Sequence, residues 1–442
     1  MNNPNILFLF SDQQRWDTLG CYNPAIDFTP NLDRLAAEGA RFENAFTCQP
    51  VCGPARACLQ TGLYATQTGC FRNAIPLRPA APTLADHLHE SGYETAYIGK
   101  WHLACTGDKP VPVELRGGYR DHWLAADTLE YTSTGVDGGY MFDIENKKVD
   151  FGGYRVDSQT DFVLDYLQNR KTDRPFFLFV SWLEPHHQNA AGHYQGPQGS
   201  KEKYAKYPVP ADLRALGGGD WAQEYPDYLG CCASLDANVG RIVEALKERG
   251  EYENTLIIYT SDHGSHFKTR NSEYKRACHD ACAHVPMILH GPGFEGGQVI
   301  EALASLIDLP ITLLRAGGME RPDGWQGNAL QALASGDCEN WPDDVFIQIS
   351  ETQVGRALRT RKWKYSVRAP FRNGWLHASS KLYMEDFLYD LESDPHELRN
   401  LVCDDEYEAA REKLRGRLIE RMAQAGEEAP AILRRRCRMR RK

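Results

Sequence analysis

Cys52 stands at the head of the stretch Cys52-Gly53-Pro54-Ala55-Arg56-Ala57-Cys58-Leu59-Gln60-Thr61-Gly62, and its chemistry depends on how that stretch folds. Proline is favoured at the start of a helix, where its missing N–H would have no partner anyway, and glycine is favoured just past the end. Pro54 and Gly62 therefore bracket a short helix whose unpaired N–H groups and positive dipole end lie close to Cys52, a setting suited to an oxyanion. Arg56, in the first turn, adds a permanently charged fork of donors. The same residues equally describe an inert buried cysteine ahead of a helix, so the string alone leaves both readings open.

Four other polar blocks each follow a run that reads as a strand. Ser11-Asp12-Gln13-Gln14 follows Ile6 to Phe10, Lys100-Trp101-His102 follows Glu94 to Ile98, Glu184-Pro185-His186-His187 follows Phe176 to Trp182, and Asp262-His263 follows Thr255 to Tyr259. Continuous apolar runs read as parallel strands covered on both faces, and ligands collect at the carboxyl ends of such strands. Asp12 is there either a metal ligand or a turn former. Lys100 and His102, two apart, point to the same side; they either bind an oxyanion and move a proton together, or are a packed lysine and a satisfied histidine. Asp262 and His263, joined by Asp12, make a divalent metal set. Lys275, in Lys275-Arg276-Ala277-Cys278-His279-Asp280, is a further cation ahead of Ala283-His284-Val285-Pro286.

The elements that must position these groups alternate strands and helices. Thr29-Pro30-Asn31 reads as a helix start closed by Gly39, Arg41 to Phe46 as a strand leading into the Cys52 loop, and Thr83 with Asp86 as a capped helix ended by Gly92. Tyr225 to Arg249 is a long amphipathic helix with Leu229, Leu235, Val239, Ile242 and Leu246 on its apolar side. Residues 119–154 and 188–221 lack periodicity and read as loops, and 305–318 as one more helix. From Val345 the pattern changes to short runs at 345–349, 355–358, 362–367 and 387–391, closed by a helix at 406–423. The fold class is therefore α/β: a large mixed, mostly parallel sheet sandwiched by helices in 1–340, and a smaller C-terminal α+β subdomain with an antiparallel sheet in 341–442. The tail from Arg434 holds seven basic residues in nine, read as a solvated end or as a contact with an acidic neighbouring subunit in a homo-oligomer.

At 442 residues with 42% hydrophobic and 25% charged content, the chain has the composition of a globular enzyme with a sizeable core. A net charge of −10 excludes nucleic acid as the main partner, so an anionic substrate must meet a local cluster of cations. No run reaches membrane-spanning length and Ile6 to Phe10 is too short for a signal peptide, which gives the expectation of a cytoplasmic protein without a membrane partner. The 13 cysteines lack the spacing of a disulfide framework and include no C-x-x-C, so reduced thiols and no structural zinc are expected, with Cys278 and Cys282 as packing residues.

The string C-x-P-x-R with x-x-L-x-T-G, matched by Cys52, Pro54, Arg56, Leu59, Thr61 and Gly62, resembles the signature of the sulfatases of the alkaline phosphatase superfamily; Ala55 stands where that family often has serine. Gly99-Lys100-Trp101-His102-Leu103, Thr260-Ser261-Asp262-His263-Gly264, and Leu388 to Glu397 with Asn400-Leu401 resemble three more blocks of the family. The resemblance implies an alkaline phosphatase-like sheet and a sulfuric ester hydrolase acting on a small sulfated sugar from its end. It implies that Cys52 is oxidised by a maturating enzyme to formylglycine, whose hydrated aldehyde is the nucleophile. Asp12, Gln13, the Cys52-derived group, Asp262 and His263 would hold one divalent cation, Ca2+, or Mn2+ because Gln13 replaces a more frequent aspartate. Arg56 and Lys100 would orient the nucleophile and offset charge. His186, after the proline, and Lys275 would protonate or steady the leaving oxygen, and His102 would take a proton when sulfate departs. Lys100, His186, Lys275 and His279 would contact substrate, His279, Asp280 and His284 being departures from the family pattern that point to an unusual subsite. Tyr140, His193 and Trp375 sit in loops that either cradle a sugar ring or pack. Two other readings stand beside this one: a phosphonate monoester or phosphodiester hydrolase of the same superfamily, and a carbohydrate-binding relative in which Cys52 stays a thiol.

Overall fold

The computed structural model describes residues 3–78 and 81–435. Its larger sheet has ten strands: β1 (Asn5–Ser11), β2 (Ala40–Phe46), β3 (Glu94–Lys100), β4 (His122–Ala126), β5 (Gly139–Asp143), β6 (Lys148–Phe151), β7 (Phe176–Ser181), β8 (Thr255–Ser261), β9 (Met287–His290) and β10 (Gln298–Ser305). They lie in the order β10-β2-β9-β8-β1-β7-β3-β4-β5-β6. The centre, β8-β1-β7-β3-β4, is parallel, while β9, β5 and β6 run antiparallel to their neighbours.

Side chains of a strand alternate between faces, and β1 shows why the central runs are apolar throughout. Ile6, Phe8 and Phe10 join one core, with Ala57 and Leu59 of the Cys52–Thr61 helix, Leu84 and Leu88 of Leu84–Glu90, and Leu313 of Leu309–Ala316. Leu7 and Leu9 join the other, with Leu32 and Leu35 of Pro30–Glu38, Val163 and Leu167 of Arg155–Asn169, and Leu235, Val239, Ile242 and Leu246 of Trp221–Glu248. Each such side chain contributes roughly 1.5–3 kcal/mol on burial, so a strand buried on both faces is pinned in register and its carboxyl end is held in a fixed place. Gly99, near the end of β3, has φ +115° and a Cβ there would meet Ser181 O at 2.1 Å, so only glycine lets β3 lie against β7 at the level of the site.

The smaller sheet holds β11 (Asp344–Ile349), β12 (Gly355–Thr360), β13 (Trp363–Arg368), β14 (Leu382–Asp390) and β15 (Ala431–Leu433). It is antiparallel from β11 to β14, but β15 pairs parallel to β14. The Glu408–Gln424 helix closes it, with Leu414, Leu418 and Met422 in a core with Leu358, Tyr365 and Leu388.

Several expectations are corrected here. Residues 119–154 are not merely loops: β4 extends the sheet beside β3, and β5 and β6 form a hairpin whose turn carries Asn146 at φ 65°. Asparagine tolerates that left-handed conformation, so Asp143 to Asn146 was the readable signal, while pairing with β3 is a long-range contact that no local pattern reports. β10 was not expected as a strand, and 188–221 contains two short helices, Ser200–Tyr204 and Ala211–Leu216. Cys403 is disulfide-bonded, against the expectation of reduced thiols throughout; spacing does not reveal which thiols a fold brings together. Arg434 bonds Asp405 and Glu408, and Arg435 bonds Asp386, so these two tail residues meet acids of their own chain; the rest of the basic tail lies outside the described residues. Among the described residues no helix is long and apolar enough to cross a membrane.

Candidate active site

The parallel strands β8, β1, β7 and β3 are neighbours, and their registers level their carboxyl ends: Phe10 lies opposite Thr260 and Ser181, and Ser181 opposite Gly99. The residues that leave these ends are Asp12, His186, Lys100 with His102, and Asp262 with His263, so four separate blocks of the sequence face one space. Gln13 and His102 hold the left-handed backbone at φ 69° and 61°, a strained conformation that persists where surrounding structure imposes it and clusters at functional sites.

Cys52 is delivered by the helix that follows β2. That helix runs Cys52–Thr61, so the cysteine is its first residue rather than a loop residue ahead of it. The first intrahelical bond is from Ala55 N to Val51 O, at 3.0 Å, so the donor that Pro54 lacks would have had no intrahelical partner there. Gly62 ends the helix at φ 63° with its N–H on Cys58 O. Lys275 Nζ donates to Cys52 Sγ at 2.8 Å, and Asp12 Oδ1 and His263 Nε2 each lie 3.4 Å from the sulfur. Burial opposes ionisation of the thiol, but Lys100, Lys275 and His263 outweigh it and hold Cys52 well below the ordinary range.

The charges around it interlock. Asp12 Oδ2 accepts from Lys100 Nζ at 2.6 Å and from Arg56 at 3.1 Å, and Arg56 reaches Ser181 Oγ at 2.6 Å and lies 3.6 Å from Asp262 Oδ2. Burial and Cys52 push Asp12 up, yet Lys100, His186 and Arg56 hold it well below the usual carboxylate range. Asp262 goes the other way, pushed up to about 7 by burial and by the like charge of Asp12. His186 is lowered to about 4, mainly by burial, with Lys275 adding to the effect.

Ligand atoms of Asp12, Cys52, Asp262 and His263 all lie within 4.8 Å of one another, and all four residues are buried. Three observations say that this set fits a cation. Two carboxylates share one dry space, Asp262 Oδ2 has no hydrogen-bond partner among the described residues, and His263 gives its Nδ1–H to Gly264 O at 2.9 Å, which leaves the Nε2 lone pair turned to the cluster. Gln13 is tied from the other side: its Nε2 donates to Tyr194 Oη at 2.5 Å and Ser265 Oγ at 3.1 Å, while Oε1 has only a 3.4 Å contact with His187 N.

A cavity of about 360 Å³ opens beside Cys52, lined among others by Lys100, His102, His186 and Lys275. His186 is thus the member of the His186-His187 pair at the cavity, its Nε2 3.3 Å from Lys275 Nζ; His187 stacks on Tyr274 instead. Trp375, from a loop of the smaller sheet, lines the same cavity, as do Glu130, Asn189 and Tyr274, which sequence reasoning missed. Tyr274 directly precedes Lys275, a readable hint; Glu130 and Asn189 carry no local signal.

Other expected residues are not brought there. His279 is buried in the smaller domain's interface, its Nε2 3.1 Å from Tyr389 Oη and its ring against Phe387, so the expected substrate contact is corrected to a packing one. Asp280 binds Arg359 and Lys364, tying the two sheets together rather than forming a subsite. Tyr140 packs on Phe142 under Lys148, and His193 Nδ1 bonds Tyr194 O at 2.7 Å. His284 stacks on Trp16 and Phe46 with Nε2–H on Glu43 O at 3.0 Å. Burial lowers His284 to about 3 against the opposing pull of Asp280. A histidine whose folded value is depressed adds stability above its unfolded value near 6.5, and that stability is lost as pH falls toward the folded value. Stability measured by denaturant titration should therefore drop between pH 6.5 and 4, and His284→Phe should flatten that limb by about 1 kcal/mol per pH unit.

The sequence model of the family described as Sulfatase matches residues 4–319. The chain belongs to the sulfatase family. A second model, N-sulphoglucosamine sulphohydrolase, C-terminal, matches residues 273–424 of this sulfatase. The sulfatase is 30% identical over 451 residues to the uncharacterized sulfatase YidJ of Escherichia coli K12, across 96% of this chain and 88% of that one. Two solved structures share the fold. One, bound to its substrate D-glucosamine-2-N,6-O-disulfate, has a TM-score of 0.79 at 23% identity over 97% of this chain and 99% of that one. The phosphonate monoester hydrolase of Agrobacterium radiobacter has a TM-score of 0.73 at 24% identity over 96% of each.

Proposed function

We propose that this sulfatase hydrolyses sulfate esters of small sugars, with Cys52 as the reacting position and Asp12, Gln13, Asp262 and His263 as holders of one divalent cation. The observation that carries the reading is the buried cluster of Asp12, Cys52, Asp262 and His263 ringed by Arg56, Lys100 and Lys275. A sulfate monoester needs its oxygens neutralised, a strong nucleophile, and a proton donor for the leaving oxygen. A cation in the cluster, Ca2+ or Mn2+, would supply the first, and oxidation of Cys52 to formylglycine by a maturating enzyme would supply the second. The likeness to a protein crystallised with a sulfated glucosamine supports a small sulfated sugar as substrate.

The remaining work falls to the chain. Lys100 and Arg56 keep Asp12 ionised, so one carboxylate of the pair is anionic at neutral pH. Lys275, raised by Cys52 against its burial, stays protonated and brings charge to the sulfate end. His186 Nε2 accepts from Lys275, which favours Lys275 as donor to the leaving oxygen and His186 as the group that aims it. His102, on its strained backbone at the cavity wall, is in place to accept a proton as sulfate departs. The reading assigns the chemistry to 1–340 and to 341–442 one wall of the cavity, through Trp375.

A phosphonate ester reading has one observation in its favour, Gln13 where a second metal-binding acid would make the set more anionic; Lys100 and His102 favour sulfate. Paired assays on an aryl sulfate and an aryl phosphonate decide between them, using chain coexpressed with a maturating enzyme and checked by mass spectrometry of the Cys52 peptide. A kcat/KM at least about tenfold higher for the sulfate is expected; a higher value for the phosphonate, or a Cys52 that stays a thiol in active protein, would defeat the reading.

A further inference from the structure

The cavity beside Cys52 contains a carboxylate that the chemistry above leaves unused. Glu130, on the short Leu129–Thr132 segment, has a side chain only 9% exposed. Among the described residues no lysine or arginine lies within ion-pairing distance of it; its titratable neighbour is His186, with Nδ1 3.7 Å away. An amide holds it instead. Asn189 Nδ2 donates to Glu130 Oε1 at 3.0 Å and Oε2 at 3.2 Å, and Asn189 Oδ1 accepts from the Tyr274 O–H at 3.0 Å.

An amide NH2 only donates and an amide oxygen only accepts, so the direction of donation runs from Tyr274 through Asn189 to Glu130. The amide occupies one acceptor position on each carboxylate oxygen and leaves others free toward the cavity. Arg276, another lining residue, is taken by Glu273 at 2.8 Å and Glu351 at 2.5 Å. The cavity is thus divided: Arg56, Lys100 and Lys275 surround Cys52, whereas the Glu130-Asn189-Tyr274 wall offers a fixed acceptor held by the exposed amide of Asn189.

We propose that Glu130 is a specificity-determining residue, selecting sugars that present a hydroxyl or ammonium donor beside the scissile ester and rejecting those that carry a second sulfate or carboxylate there. The proposal rests on the reading of this cavity as a sulfated-sugar site. A donor gains a charge-assisted hydrogen bond. A second anion meets a like charge held in place by Asn189, the repulsive element by which a site discriminates.

The test uses the full matured chain and two matched pairs: N-acetylgalactosamine 4-sulfate and N-acetylgalactosamine 6-sulfate, each against the 4,6-disulfate. The wild type should favour the singly charged member of a pair by about tenfold or more in kcat/KM, and Glu130→Gln should shrink that ratio to about threefold or less. Asn189→Ala, which unties the carboxylate, should move the ratio in the same direction, so the outcome does not hang on one variant. A ratio unchanged by both substitutions, or a wild-type preference for the doubly charged sugars, would overturn the role of Glu130. Calorimetric binding of the same sugars to Cys52→Ser, with and without Glu130→Gln, reads the ratio without turnover. Sugars that bind selectively but are never hydrolysed would therefore count against sulfate ester hydrolysis and still decide the case for Glu130.

Discussion

Cys52→Ala should lower kcat/KM for sulfate esters by more than about four orders of magnitude, the scale on which enzymes lose activity when a covalent nucleophile is removed. The expectation follows from position. Cys52 is the one member of the buried cluster whose side chain has a helix N-terminus behind it and Lys275 at 2.8 Å in front of it. The other thiol lining the cavity, Cys105, is pushed up to about 11 by burial and by Asp127, while Ser181 Oγ is occupied by Arg56 and Cys58 lies further along the helix among Cys48, Ala65 and Ile307. The chain should still fold, since alanine suits a first helical turn, with a modest loss of stability because the buried Lys275 gives up its 2.8 Å partner. Matching thermal unfolding curves with activity assays on one preparation would check both halves. Retained activity in Cys52→Ala would remove Cys52 from the chemistry altogether.

Asp12→Asn should do two things at once. Asp12 Oδ2 is the shared acceptor of Lys100 and Arg56, both with side chains at most 3% exposed. Neutralising it leaves two buried cations with Asp262 as the remaining carboxylate. Breaking a buried pair by removing one partner costs roughly 3–5 kcal/mol. Activity should fall by about a thousandfold, the scale of losing one electrostatic contact to developing charge. Metal content after dialysis should fall as well, because the cluster loses one of its two carboxylate ligands. Denaturant melts, sulfate release and elemental analysis read the three effects separately. A variant with wild-type stability would show that Lys100 and Arg56 are not held by this carboxylate in solution.

Much of this site was legible from the chain because its groups sit at strand ends. A run such as Ile6 to Phe10 can be apolar throughout only if both faces are covered, and that places Asp12 at a carboxyl edge. The same logic placed Lys100, His186 and Asp262. It failed where a residue's role is set by what lies across space. His279 is polar and near Lys275 in sequence, yet it turns toward Tyr389 because the smaller sheet covers it. β4 looked like loop because its partner, β3, lies across a connection that holds no periodic signal. Cys403 offered no spacing that would mark it as bonded.

The residue types at the ends of the buried strands, the cysteine with its helix-starting proline and arginine, and the change of pattern near Val345 can all be read along the chain. Those are local properties, fixed by backbone geometry and the periodicity of burial. Folding in three dimensions is what sets β8, β1, β7 and β3 side by side with level ends, seats Cys52 at its helix start against Asp12 and His263, and joins Tyr274, Asn189 and Glu130 in one wall of the cavity. Strand order and side-chain meeting depend on contacts between residues tens to hundreds of positions apart, and neither propensity nor spacing along the chain carries that information.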